Sequence, residues 1–404
     1  MEPLGRFINV GVVTPGYEEG GGLPAVADFL STALERVGGY TTRIVSPTMR
    51  WNDPLNTCLT RPGGWLRGPV AEDAQINGRS VTRVGAWWSE AEFMRYRSRS
   101  VLDRSVAGTD LVQVVCGSAV SAYALRRVRQ PLFIQVATIL RVEREQGRRA
   151  GSRPGVSWAM TRLCEPMERA AFRRADGVFV ENQWMYEHLA ATLPPGRLHF
   201  APPGVDTEFF RPDPSVMRDC LLFVGRLGDP RKNVRLLLET YLRLCERLPA
   251  VPPLVLAGSS PLLEDDVRFI ANSGFASQVE IHLRPDRAAL AALYRRCQVF
   301  LLGSHEEGFG IVLTEAMASG APVVSTDCGG PRSIVVEGRT GFLVSVADAG
   351  AMANRVVRLL QDEPLRCAMG AAARARAVSE FSIAVCGRRF ADVYQAALRT
   401  NEQR

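Results

Sequence analysis

Lysine is almost absent from this chain: of 49 basic side chains only Lys232 is a lysine, so the formal charge of +7 is carried by arginine. Metal-ligand and disulfide patterns are lacking as well. The nine cysteines are odd in number and scattered without a C-x-x-C pair, and there are only four histidines. This argues against a disulfide framework or a structural metal site and for buried thiols in a reducing compartment. No run of about eighteen apolar residues occurs, so no membrane-spanning helix is expected. The first residues, Met1-Glu-Pro-Leu-Gly-Arg, have no basic segment before a long apolar run; a secretory leader is not expected, and a cytoplasmic location is. Neither a helix-turn-helix nor an RNA-binding signature accompanies the arginines, so nucleic acid is not an expected partner.

What the chain does have is length and regularity. With 404 residues and 46% hydrophobic side chains, two or three domains with real cores are expected. Short apolar strands alternate with helical periodicity. In the first half, strands are expected at residues 7–13, 111–115, 132–136 and 178–180, with helices at 23–37, 119–127, 158–174 and 183–193. Residues 46–104 read as loop-rich, with the pair Trp87-Trp88 serving as core, as a stacking platform or as a membrane-dipping patch; residues 143–154 read as an arginine- and glycine-rich mobile loop. A proline-rich joint follows at residues 201–214. Beyond it the alternation resumes, with strands at 221–224, 254–257, 279–282 and 299–302 and a final helix over 383–398. Such β-α alternation implies parallel sheets covered on both faces. Between residues 95 and 174 sixteen arginines face six acids, an excess of ten, which reads equally as a face for an anionic membrane or phosphorylated acceptor and as an ordinary solvated surface.

Residues 303–332, GSHEEGFGIVLTEAMASGAPVVSTDCGGPR, are the stretch around which the rest of the chain is read. Glu307-Gly308-Phe309-Gly310 follows a strand and runs straight into a helix beginning near Ile311 and Val312. The first amides of that helix have no partner within it and mark the positive end of its dipole, which makes an anion site. Glu307 and Glu315 flank the turn; a carboxylate accepts hydrogen bonds and suits paired sugar hydroxyls. Upstream, the loop after strand 221–224 places Arg226 and Lys232 at the carboxyl end of a parallel strand, where open α/β sheets bind ligands. An arginine fork beside a compact ammonium fits a diphosphate. Near the amino terminus, Gly20-Gly21-Gly22 between a strand and a helix is a second, weaker anion-site signal.

The seven residues between Glu307 and Glu315, with Ala-Met-Ala-Ser-Gly-Ala-Pro-Val-Val-Ser-Thr after them, resemble the E-x7-E signature of retaining glycosyltransferases of the glycogen-synthase-like "group 1" family. The likeness extends upstream through Phe223-Val-Gly-Arg-Leu-Gly-Asp-Pro-Arg-Lys-Asn233 and downstream through residues 329–335 and 341–344. It implies a GT-B α/β fold, two Rossmann-like doubly wound domains facing across a cleft. The implied division is an acceptor-binding domain at 1–204, a linker at 205–217, a nucleotide-sugar domain at 218–380, and a helix at 381–404 returning to the first domain. The resemblance gives Arg226, Lys232 and Glu307 catalytic roles. It assigns donor binding to Gly21, Gly22, Arg226, Lys232, Leu283, Gly308, Phe309, Gly310, Ile311, Val312 and Glu315. No metal or separate cofactor is implied beyond the nucleotide-diphosphate sugar donor, in keeping with the absence of any Asp-x-Asp triplet. The expected acceptor is a glycan, a lipid-linked or a small molecule, with peripheral association at the inner face of an anionic membrane as one reading. One departure is visible: where relatives often carry a sugar-contacting histidine after the strand ending at Val136, this chain reads Ala137-Thr-Ile-Leu-Arg-Val-Glu143, leaving Glu143 or Arg144 to reach that space. Competing readings are a catalytically silent GT-B protein and another GT-B enzyme such as a nucleotide-sugar epimerase.

Overall fold

The computed structural model describes residues 7–19, 21–149 and 154–402. The first six residues, Gly20 and residues 150–153, within the stretch expected to be mobile, lie outside the described residues. The chain forms two compact units, residues 1–203 with 386–404, and residues 204–385.

The first unit runs β1 (Ile8–Val13), α1 (Gly22–Val37), β2 (Tyr40–Pro47), β3 (Ala71–Ile76), β4 (Arg79–Val84), α2 (Glu92–Arg95), α3 (Ser100–Ser105), β5 (Leu111–Cys116), β6 (Leu132–Val136), α4 (Leu140–Arg149), α5 (Pro154–Arg174), β7 (Gly177–Val180), α6 (Gln183–Ala190) and β8 (Leu198–Phe200). Its eight strands are ordered β3-β4-β2-β1-β5-β6-β7-β8. Only the β3-β4 pair is antiparallel. Every residue of β5, β6 and β7 is buried, the burial that helices on both faces of a parallel sheet impose. Two sequence expectations are corrected here. Residues 46–104 contain the β3-β4 hairpin, closed by Asn77 and Gly78 at φ 53° and 76°, and residues 140–149 form helix α4 where a loop was expected.

The second unit runs β9 (Cys220–Val224), α7 (Val234–Arg247), β10 (Leu254–Gly258), α8 (Glu264–Asn272), β11 (Val279–Leu283), α9 (Arg287–Arg296), β12 (Cys297–Leu302), α10 (Ile311–Ala318), β13 (Val323–Thr326), α11 (Gly330–Ile334), β14 (Gly341–Val344), α12 (Ala349–Gln361) and α13 (Glu363–Phe381). Its six parallel strands are ordered β11-β10-β9-β12-β13-β14. Counted within the unit this is 3-2-1-4-5-6, the doubly wound order whose direction reverses between β9 and β12. Ligands of such sheets bind outside the carboxyl ends of the strands at that reversal, so the order alone singles out the loops after Val224 and Leu302. Residues of the 205–217 stretch belong to this unit: Val205 bridges to Ser382, and the Phe210 ring meets Tyr294 at 5.5 Å.

The last helix, α14 (Ile383–Glu402), belongs from Cys386 onward to the first unit. There Phe390 lies 4.5 Å from Phe179, and the buried Tyr394 hydroxyl donates to Gln113 Oε1 at 2.6 Å. Among the described residues no helix is long and apolar enough to cross a membrane.

Candidate active site

The loop after β9 turns on Asp229. Its carboxylate caps the 3-10 turn Pro230–Lys232 by accepting from the Arg231 amide at 3.0 Å, the role that Asp before Pro performs at helix starts. The same carboxylate takes Arg226 Nη2 at 2.7 Å and Arg231 Nη2 at 2.8 Å. Burial alone would raise its pKa, but the hydrogen bonds from Arg231 and the charge of Arg226 bring the net direction below the ordinary carboxylate value. Arg226 therefore stands half-exposed at the end of β9, steered by Asp229. Asn233, in the left-handed region at φ 48°, then starts α7.

Lys232 points to the second loop. Its Nζ lies 2.5 Å from Glu307 Oε1, with side-chain exposures of only 18% and 10%, and Ser304 Oγ donates to the same oxygen at 2.8 Å. Backbone contacts hold this arrangement. The His305 amide donates to the Arg231 carbonyl at 2.8 Å, Thr326 Oγ1 donates to the Ser304 carbonyl at 2.6 Å, and the Gly330 amide donates to the Glu307 carbonyl at 2.9 Å. A Cβ on Gly330 would sit 2.4 Å from the Phe309 carbonyl oxygen, so the two turns pack as closely as backbone allows. Gly310, at φ 100°, adopts the left-handed geometry that glycine tolerates and brings no side chain to cap α10. The first-turn amides of Ile311 and Val312 thus lead the positive end of α10 next to the Lys232–Glu307 pair. Phe309 has only its backbone to offer a ligand, because its ring is buried in the core against Phe381 at 5.8 Å.

Glu315 lies one turn further into α10. Tyr294 of α9 donates to its Oε2 at 2.7 Å, and burial pushes the carboxyl up to about 7 despite that bond and the charge of Arg287. One oxygen is thereby taken from within the protein, and burial disfavours the ionised form that the sequence reading assumes. Leu283, more than half exposed, ends β11 on the same carboxyl edge, and the following Arg284 amide donates to the Gly258 carbonyl at 2.7 Å. Ten of the residues expected to bind the donor or take part in catalysis are in this one unit. Gly21 and Gly22 belong to the other. They are exposed at the start of α1, with Gly21 at φ 101° and open space around both.

Three features escaped sequence reading: Asp229 as the cap of its turn and the partner of Arg226, and Ser304 and Tyr294, which carry no local signal of their contacts. In the first unit, Glu143 reaches the carboxyl end of β5, with Oε1 3.2 Å from the position a Cβ on Gly117 would take, while Arg144 pairs with Glu92. Arg99 departs from the picture of an exposed basic face. It is 4% exposed, donates to the carbonyls of Arg95 and Arg97, and burial lowers its pKa to about 10.

Two doubly wound units with a cation–carboxylate pair at the reversal of the second sheet define a GT-B glycosyltransferase fold. Solved structures share it. A sucrose-phosphate synthase of Thermosynechococcus elongatus superposes with a TM-score of 0.71 at 19% identity over 97% of this chain and 100% of that one. HepE of Anabaena, in complex with UDP and glucose, does so with a TM-score of 0.67 at 17% identity over 96% and 100%. The family described as "Glycosyl transferases group 1" matches residues 205–376. A GDP-mannose-dependent alpha-(1-6)-phosphatidylinositol monomannoside mannosyltransferase of Mycolicibacterium smegmatis is 31% identical over 261 residues, 59% of this chain and 67% of that protein. A D-inositol 3-phosphate glycosyltransferase of Frankia alni is 36% identical over 201 residues, 45% and 49% of the two chains. The chain belongs to the group 1 glycosyltransferase family.

Proposed function

We propose that this protein moves a sugar from a nucleotide-diphosphate sugar to an acceptor hydroxyl, with retention of anomeric configuration and without a divalent cation. The observation that carries the reading is the Lys232–Glu307 pair at the sheet reversal, with Arg226 on one side and the α10 amino terminus on the other. As the bond from the anomeric carbon to the diphosphate breaks, charge grows on the leaving oxygens. Lys232, Arg226 and the Ile311 and Val312 amides face that charge in a partly desolvated site, where fixed donors act most strongly. Glu307 Oε1 is held by Lys232 and Ser304, and Oε2 is directed to a donor-sugar hydroxyl; Glu315 Oε1 takes a ribose hydroxyl, while Tyr294 fixes Oε2. The acceptor oxygen bonds to the anomeric carbon on the face the diphosphate leaves, and its proton passes to the departing phosphate. Metal independence is supported by the cationic groups standing where a metal would neutralise the diphosphate. The names of the relatives make inositol 3-phosphate and phosphatidylinositol monomannoside the first acceptors to test.

The test is incubation with UDP-, GDP- and ADP-sugars and these acceptors in EDTA, following the product's anomeric proton coupling by NMR. Retained configuration in EDTA supports the reading. Inversion, or turnover that returns only with manganese, contradicts it, and conversion of the nucleotide sugar into its epimer with no net release of nucleotide would indicate epimerase chemistry.

A further inference from the structure

Peripheral association with an anionic membrane was one of two equal readings of the arginines of residues 95–174, but a different surface of the first unit has the better chemistry for it. Between β2 and β3 the chain makes a long excursion, residues 48–70, that brings large apolar side chains into solvent. Leu66 is 101% exposed, Trp51 49% and Trp65 41%, and Trp88, from the segment after β4, is 38% exposed. Single exposed apolar residues are ordinary, but a contiguous group is not. Here two of the rings touch, Leu66 follows Trp65 in the chain, and the Trp51 backbone is bonded to the segment that carries Trp88. The Trp65 and Trp88 rings meet edge-on at 6.3 Å, Trp65 Nε1 donates to the Cys58 carbonyl at 2.8 Å, and Ser89 Oγ donates to the Trp51 carbonyl at 2.6 Å. Trp88 also sits in the left-handed region at φ 43°, an unfavourable place for a bulky residue, with its amide donating to Thr57 Oγ1 at 3.1 Å. The backbone is constrained so that the ring stays outside.

We propose that this patch docks the first unit onto an anionic lipid bilayer. Charge chooses the bilayer over a second copy or an apolar protein groove. Arg50, Arg61 and Arg67 are exposed around the apolar group; Arg50 is paired with Glu19 at 3.3 Å, Glu90 accepts from the Thr60 hydroxyl at 3.3 Å, and Asp53 is buried and pairs with Arg83 at 2.5 Å, so Arg61 and Arg67 carry the basic character of the patch. Trp rings with a polar edge settle at the headgroup level, Leu66 reaches past them toward the acyl chains, and each arginine near an anionic surface adds attraction. The proposal stands apart from the donor chemistry, since vesicle binding is measured with no nucleotide sugar present.

The experiment is co-sedimentation of the full chain with phosphatidylcholine vesicles, and with vesicles also containing phosphatidylglycerol. It is repeated with Leu66→Asp and with Arg61→Glu/Arg67→Glu, with tryptophan emission recorded in parallel. Expected are capture by the anionic vesicles only, a blue shift on binding, weakening of about tenfold or more in each variant, and unchanged melting temperature and nucleoside-diphosphate binding. Three results overturn the proposal: no capture by anionic vesicles, capture indifferent to Leu66→Asp, or a sedimentation-equilibrium dimer that Leu66→Asp dissolves, which would assign the patch to a second copy.

Discussion

Replacing Lys232 separates structural from catalytic use of the same ammonium. In the structure its Nζ is 2.5 Å from Glu307 Oε1, and the two side chains retain 18% and 10% of their exposure. Lys232→Ala leaves Glu307 with Ser304 as its remaining partner for that oxygen. Breaking a fully buried pair costs about 3–5 kcal/mol; with solvent still reaching both groups, roughly 1–3 kcal/mol is expected here, the scale of one unsatisfied buried polar group. Turnover should fall by on the order of 10²- to 10³-fold, as when one preorganised donor to developing charge is removed. Lys232→Arg tests geometry rather than charge. A planar guanidinium is larger than the ammonium seated against Glu307 and Ser304, so this variant should recover most of the stability yet little of the turnover. That this is the only lysine among 49 basic side chains fits such a requirement. Urea melts and initial rates of nucleoside-diphosphate release measure the two quantities, and a cycle with Glu307→Gln isolates their coupling. An arginine variant with near-normal turnover beside a dead alanine variant would refute the geometric argument, and an alanine variant normal in both would refute the role altogether.

Tyr294→Phe removes the hydroxyl that fixes Glu315 Oε2 and should weaken nucleoside-diphosphate binding roughly five- to tenfold, about one hydrogen bond, as read by calorimetry; unchanged affinity would detach Glu315 from the ribose. Glu181 is buried and accepts from Gln135 Nε2 at 3.2 Å, and burial pushes its carboxyl up to about 7. A raised acid holds its proton more tightly when folded, so the stability it confers is full below the ordinary carboxylate pKa and is lost as pH rises through about 7. The wild-type melting temperature should therefore fall between pH 5 and pH 8, and Glu181→Gln should flatten that slope by up to roughly 3 kcal/mol; parallel profiles would show that Glu181 does not titrate there. Gly330→Ala forces a Cβ to within 2.4 Å of the Phe309 carbonyl and should destabilise by roughly 1–3 kcal/mol, with a lower melting temperature and weaker donor binding; a silent substitution would mean the turn is loose.

The second unit was more legible than the first because its chemistry is local in sequence. Strand, glycine turn and helix follow one another within residues 299–318, and the loop with Arg226 and Lys232 directly follows strand 221–224, so both site loops could be placed before any tertiary information. Their meeting could not. Lys232 and Glu307 are 75 residues apart, and nothing in either loop states that β9 and β12 are neighbours. The Tyr294–Glu315 bond was hidden for the same reason, and with it the desolvation that raises Glu315. In the first unit the misses were of two kinds. Asn77-Gly78 between alternating residues is a strong hairpin signal, passed over amid the surrounding prolines and glycines. The sequence of helix α4, LRVEREQGRR, is mostly charged, with too few apolar residues to give a period. Arg99 shows the limit of charge counting, since composition cannot tell a solvated arginine from one that is 4% exposed.

The central claim, that Arg226, Lys232 and the α10 amino terminus hold the diphosphate of a nucleotide sugar, is tested most directly by calorimetric titration with UDP, GDP and ADP, each against its own nucleoside. The account predicts that at least one diphosphate binds far more tightly than its nucleoside, and that Lys232→Ala and Arg226→Ala each remove much of that difference while leaving nucleoside binding unchanged. Equal affinity for diphosphate and nucleoside, or a difference that survives both substitutions, would contradict it.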